Sequence, residues 1–194
     1  QIAPVEETAT RDIVAIATDE HPKATTQDKL ARLRTVFKKD GTVTAGTASG
    51  INDGAAAIVL ATGEAAEKNG LKPRARVLGY AHAGVRPDVM GIGPIPAVQN
   101  LLERTGLSVD NFDVIESNEA FAAQALAVNK GLGLDTSKVN PNGGAIALGH
   151  PVGATGAILA IKALYELERI GGDKALVTMC IGGGQGIALA FERI

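Results

Sequence analysis

Three short stretches carry side chains suited to chemistry at a carbonyl. Cys180 closes the apolar run Val177-Thr178-Met179 and is followed by Ile181 and three glycines, 182–184. A lone cysteine on an apolar strand ordinarily packs as a small hydrophobe. The glycines widen the possibilities: without Cβ they let backbone N–H groups approach a ligand closely, and such a donor can hold an oxyanion. A thiol beside such donors suits acyl transfer or proton abstraction.

His150 lies in a second glycine-rich stretch, 143–156 (GGAIALGHPVGATG). Its imidazole can serve as general base or oxyanion donor near neutral pH, or be structural or merely exposed. The stretch leads into a predicted helix N-terminus, a place that favours anions. It has neither the Gly-Lys-Ser/Thr ending of a phosphate-binding loop nor the clear preceding strand of a dinucleotide fingerprint, so a nucleotide-binding fold is not expected. The third stretch is Asn118-Glu119-Ala120-Phe121-Ala122. Helix entry alone would account for it, with Ser117 or Asn118 as N-cap and Glu119 favoured by the helix dipole.

These stretches need elements to position them. From residue 51 onward the pattern alternates strands and helices. Strands are predicted over 55–62, 75–83, 112–116, 137–140, 174–180 and 186–192, and helices over 63–69, 96–105, 120–130 and 153–170. Gly70, Gly106 and Gly171 stop three of the helices, and Pro96 opens one. The last two strands have no helix between them and should pair antiparallel across 182–184. From 74 onward the order is βαβαβαββ, which predicts an α/β fold with a mixed, mostly parallel sheet covered by helices on both faces. Before residue 51 the chain is more polar, with a strand over 12–18, an amphipathic helix over 27–39 and strand-like alternation over 42–44. Lys29, Arg32, Arg34, Lys38 and Lys39 make that helix basic, either as a solvated face or as a surface for a ligand phosphate.

The chain has 194 residues, 45% of them hydrophobic and 21% charged, which suits a folded domain rather than disorder. A net charge of -2 offers no electrostatic footprint for nucleic acid or an anionic membrane. With 24 Gly, four Phe, two Tyr and no Trp, the core must pack from small aliphatic residues. One cysteine excludes an internal disulfide and a cysteine-rich zinc site, and fits a reducing compartment.

Taken in order, 47–57 (TASGINDGAAA), 90–96 (MGIGPIP), 118–122 (NEAFA), 143–156 and 180–184 (CIGGG) resemble the thiolase family, and the resemblance runs over essentially the whole chain. It implies a layered α/β/α thiolase-like fold. Residues 1–50 would end a loop (lid) domain, 51–73 would be the last segment of the N-terminal core domain, and 74–194 the C-terminal core domain. It implies an acyl-CoA acyltransferase that makes or cleaves acetoacetyl-CoA or another 3-ketoacyl-CoA, with coenzyme A or acetyl-CoA as substrate and no tightly bound cofactor or metal.

The same resemblance gives His150, Asn118, Cys180 and Gly182 catalytic roles. His150 would assist a nucleophilic cysteine and polarise a thioester oxygen, and Asn118 would hold a water completing that oxyanion site. Cys180 would be the acid/base, and the Gly182 N–H would serve a second oxyanion site. Ser49 would touch the pantetheine arm, while Met90, Ala120 and Phe121 would line the acyl pocket. The family's nucleophilic cysteine has no counterpart here, since Cys180 is the only one. The expected partner is therefore an N-terminal half, on the same or another polypeptide, within a cytoplasmic homodimer or tetramer. The chain by itself is expected to be inactive. A catalytically silent module that binds CoA or a partner protein is the alternative.

Overall fold

The computed structural model describes residues 2–7 and 14–194. Val5–Glu7 (β1) and Val14–Ile16 (β2) form an antiparallel pair, with Val5 opposite Ile16. Of the strand expected over 12–18, residues 12 and 13 lie outside the described ones. Gln27–Ala31 (α1) starts at Thr26, whose hydroxyl accepts the Lys29 N–H at 3.3 Å. The helix expected to reach residue 39 stops there. The β-branched Thr35 and Val36 turn instead toward 43–44: Thr35 bridges Thr44, and the Val36 N–H reaches Val43 O at 2.9 Å. That single bridge replaces the strand expected over 42–44.

Residues 55–62 form no strand. All their apolar side chains but Ala56 are exposed, Val59 by 87% and Leu60 by 80%. A strand needs a ladder partner, and no described strand lies beside this run. Gly63–Lys68 (α2) follows, capped by the Thr62 hydroxyl on the Ala65 N–H at 3.2 Å and ended by Gly70 at φ +60°.

The central sheet contains Ala75–Gly84 (β3), Val114–Ser117 (β4), Lys174–Ile181 (β5) and Gln185–Arg193 (β6), in the order β3-β6-β5-β4. As expected, β5 and β6 form an antiparallel hairpin. Because β6 turns straight back and fits between β5 and β3, it is antiparallel to both, and β4–β5 is the parallel ladder. The sheet is thus mixed, but less parallel than the alternation of elements predicts. In place of a strand over 137–140 there is a 3₁₀ turn, Thr136–Lys138, after which Val139 makes one parallel bridge to Ile115.

The helices are Pro94–Thr105 (α3), Ala122–Leu132 (α4), Ala145–Leu148 (α5) and Thr155–Ile170 (α6). Alternation along the strands divides the core between the two faces. Ile115, Leu176, Ala188 and Ala190 pack with Ala97, Val98 and Leu101 of α3. On the other face Val114, Ala175, Val177 and Phe191 pack with Leu159, Ala163 and Leu167 of α6. Helices on both faces give the expected α/β/α layering. The start of α3 is seated on β6 through two glycines: a Cβ on Gly186 would overlap the Gly93 backbone, and one on Gly93 would overlap the Gln185 carbonyl.

Candidate active site

β4 and β5 run parallel, so their carboxyl ends open on one edge of the sheet, where open α/β folds place their chemistry. The ladder extends one residue past β4, with the Asn118 N–H on Thr178 O at 3.0 Å. Neither Ser117 nor Asn118 caps a helix, because α4 begins only at Ala122, after Phe121 in an extended conformation. Asn118 is instead buried, with its carboxamide turned toward the histidine: Nδ2 lies 3.2 Å from His150 Nε2, and Oδ1 has no partner among the described residues.

The stretch that delivers His150 is tied down at several points. Asn140, in the left-handed region at φ +47°, mimics a strand partner for β4. Its Oδ1 accepts the Ser117 N–H at 2.9 Å, and its Nδ2 donates to Ser117 O at 2.8 Å and to Glu119 Oε1 at 3.0 Å. The other Glu119 oxygen accepts the Ile146 N–H at 3.3 Å, in the first turn of α5. A Cβ on Gly144 would collide with that carboxylate, which explains a glycine there. From α6, the Lys162 ammonium donates to Glu116 Oε2 at 2.8 Å and to Gly143 O at 2.6 Å. This ion pair is buried, and burial pushes the Glu116 carboxyl up against the pull of Lys162.

His150 itself is held at three places. Its backbone N–H is shared between Gly50 O at 3.1 Å and Asn52 Oδ1 at 3.2 Å. Asn52 in turn meets His21 Nδ1 at 3.4 Å, and His21 Nε2 meets Ile146 O at 3.2 Å. The ring's Nδ1 stands 2.7 Å from the Thr155 hydroxyl. Burial pushes the imidazole below its usual pKa, so the ring is neutral near pH 7.

Cys180 is on the neighbouring strand, two residues beyond the Thr178 carbonyl that receives Asn118. At a rise of ~3.3 Å per residue this sets it roughly 7 Å further along β5 than Thr178. It pairs with Gly186 of β6 and is buried, which pushes the thiol above its ordinary pKa. Gly183 and Gly184 take positive φ of 85° and 95° in the turn that follows, and the space beside Gly182 is open.

Of the remaining expected residues, Ser49 and Ala120 meet backbone to backbone, the Ser49 N–H on Ala120 O at 3.0 Å, and Ala48 bridges Phe121. Met90 and Phe121 line a cleft of about 390 Å³ with Val89, Ile92, Gln124 and Ala127. The five basic residues of 27–39 are exposed, which both readings of them require, and only Lys29 lies on α1.

Thr155, Asn52, Asn140 and the Glu116–Lys162 pair escape sequence reasoning, and Glu119 reads there only as a helix-entry residue. The pair had a signal: one unlike charge in an apolar strand and one on the apolar side of a helix. Asn52 and Thr155 lie inside the stretches 47–57 and 143–156, but nothing singled them out from their neighbours there. Among the described residues no group of three or more His, Cys, Asp or Glu could hold a metal ion, and no helix is long and apolar enough to cross a membrane.

The chain matches the thiolase C-terminal domain family over residues 71–193 and the thiolase N-terminal domain family over 1–64. It is 60% identical to the beta-ketothiolase BktB of Cupriavidus necator and 58% identical to a beta-ketoadipyl-CoA thiolase of Pseudomonas aeruginosa. Both alignments cover 100% of this chain, with 50% of the first relative and 49% of the second. The chain therefore spans about half the length of the curated relatives it matches. Among solved structures, the acetyl-CoA acetyltransferase of Bacillus anthracis superposes with a TM-score of 0.97 at 50% identity, over 100% of this chain and 50% of that one. Human mitochondrial 3-ketoacyl-CoA thiolase in complex with CoA gives 0.89 at 44% identity, over 99% and 48%.

Proposed function

Because this chain belongs to the thiolase family, we propose that it supplies the acid/base and oxyanion groups of an acyl-CoA acyltransferase that forms or cleaves a 3-ketoacyl-CoA. The observation that carries the reading is the 3.2 Å contact between Asn118 and His150, at the sheet edge that also bears Cys180. In condensation, an acyl group waits as a thioester on a nucleophilic cysteine from outside this chain. Cys180, as thiolate, takes a proton from the α-carbon of acetyl-CoA. The electron pair left behind delocalises onto the thioester oxygen, which His150 Nε2, carrying the proton taken from the nucleophile, and a water on Asn118 stabilise. The enolate carbon then attacks the waiting thioester, whose oxygen becomes an oxyanion beside the Gly182 N–H, and collapse expels the nucleophile's thiolate. Thiolysis runs the same steps backward, with Cys180 returning the proton. A buried thiol with a raised pKa makes a strong base once ionised. Each oxyanion donor contributes on the order of 3 kcal/mol to lowering the barrier.

In this reading Ser49 contacts the pantetheine arm, and Met90, Ala120 and Phe121 shape the acyl pocket. Residues 1–50 end the loop domain, 51–73 belong to the N-terminal core and 74–194 form the C-terminal core. The two family matches, which divide between 64 and 71, support a boundary near 73 and run unbroken through 50. The working assembly includes a nucleophile-bearing N-terminal half, as a cytoplasmic homodimer or tetramer, with acetoacetyl-CoA or a longer 3-ketoacyl-CoA as substrate.

The test joins or co-expresses this chain with such a half and follows CoA-dependent cleavage of acetoacetyl-CoA. Cys180→Ala is expected to abolish solvent exchange at C2 of acetyl-CoA, and unchanged exchange would exclude the mechanism. The 194-residue chain alone is expected to take no label from radioactive acetyl-CoA. Acetyl bound to Cys180 would contradict the division of roles.

A further inference from the structure

Thr155 opens α6 five residues after His150 and is 3% exposed, so water does not compete for its hydroxyl. That hydroxyl lies 2.7 Å from His150 Nδ1 and donates to Pro151 O at 2.9 Å. A threonine has one hydroxyl proton to give. With that proton on Pro151 O, the oxygen can only accept from the imidazole, and Nδ1 must carry the hydrogen. The far side of the ring agrees. Asn118 Nδ2 faces Nε2 at 3.2 Å, and an amide N–H there meets a lone pair.

We infer that Thr155 is a positioning residue that holds the neutral His150 ring in its Nδ1–H form, so that Nε2, the nitrogen beside Asn118, is the one that takes up a proton. The consequence rests on the proposed function. Nε2 first receives the proton of the nucleophile and then, carrying it, donates to the thioester oxygen. One nitrogen serves both steps, and the ring never turns. A carboxylate in the place of Thr155 would fix the same tautomer but raise the ring's pKa and populate the charged form; a shielded hydroxyl fixes the tautomer without adding charge.

The structure also contains the arrangement that would defeat this. Pro151 O already accepts the Ala154 N–H at 2.8 Å and the Thr155 N–H at 2.9 Å. If that crowding turned the Thr155 proton onto Nδ1, the ring would carry its hydrogen on Nε2. Nitrogen NMR of the chain labelled with ¹⁵N-histidine separates the two at about pH 8, above the reference imidazole pKa of ~6.5. The His150 signals are assigned by their loss in His150→Asn. The expected wild-type spectrum shows a majority Nδ1–H ring. Thr155→Ser keeps it, and Thr155→Val, equal in shape but without the hydroxyl, moves the majority to Nε2–H. A wild-type majority of Nε2–H overturns the inference, and so does a folded Thr155→Val that stays Nδ1–H. Should the valine variant not fold, the wild-type spectrum alone decides. An assembled enzyme that fails to cleave acetoacetyl-CoA while the Nδ1–H ring is present would refute the functional reading and leave this one standing.

Discussion

Replacing Lys162 by methionine tests how the loop bearing His150 is held. The ammonium has two partners, Glu116 Oε2 at 2.8 Å and Gly143 O at 2.6 Å, and the Glu116 side chain is 0% exposed. Methionine keeps most of the stem's volume and removes both bonds. The result is a carboxylate in the core with no counter-charge, and removing one partner of such a pair costs about 3–5 kcal/mol. Urea unfolding at pH 8, followed by circular dichroism, should therefore show the midpoint falling by that amount of stability. The pH dependence has a definite sign. Burial already raises the Glu116 carboxyl above its usual pKa, and removing Lys162 leaves that push unopposed. A carboxyl whose folded pKa is raised binds its proton more tightly in the native state. Its loss of stability is absent below the unfolded pKa of about 4.3 and grows as pH rises toward the folded value. The deficit of Lys162→Met should thus shrink markedly between pH 8 and pH 5. A double variant with Glu116→Leu should recover most of the loss, less about 1–3 kcal/mol for the Gly143 carbonyl left without its donor. A single-variant cost below about 1 kcal/mol, with no pH dependence, would mean that water reaches the pair and that Lys162 does not brace the loop.

Three further outcomes follow from the same geometry. Cys180 should react slowly with iodoacetamide in the folded chain at pH 7.5 and faster as pH rises past 9, because the thiol is buried and its pKa raised; labelling as fast as in the urea-unfolded chain would contradict this. In the assembled enzyme Asn118→Ala should lower kcat by about 10²–10³ with little change in thermal midpoint, measured by acetoacetyl-CoA thiolysis against a melting curve, since one oxyanion group is lost. Gly186→Ala should destabilise by at least about 2 kcal/mol in urea unfolding, because the new methyl meets the Gly93 backbone rather than a movable side chain.

Much of this protein is local enough to be read from its residues. Pro96 marks the start of α3 to within two residues, and Gly70, Gly106 and Gly171 mark the ends of α2, α3 and α6; the Gly133 that stops α4 two residues past the expected end escapes that reading. The β5–β6 hairpin follows from two apolar runs with glycines between them. Asn118, His150 and Cys180 stand out because their neighbours are unusual, and the motifs around them carry the family. What failed did so where a segment's structure depends on what lies beside it. Residues 55–62 read as a strand by composition but have no ladder partner among the described residues. Thr35 and Val36, written as helix, found partners across a turn at 43–44.

Only tertiary structure decided which polar groups face one another, because those contacts join residues distant in sequence through the pairing of strands and the seating of α6. The Asn118–His150 contact spans 32 positions, Lys162–Glu116 spans 46 and Asn52–His150 spans 98. Residue types set what each side chain can donate or accept. The folded backbone sets which of them must do so, since a buried polar group without a partner costs more than most single contacts return.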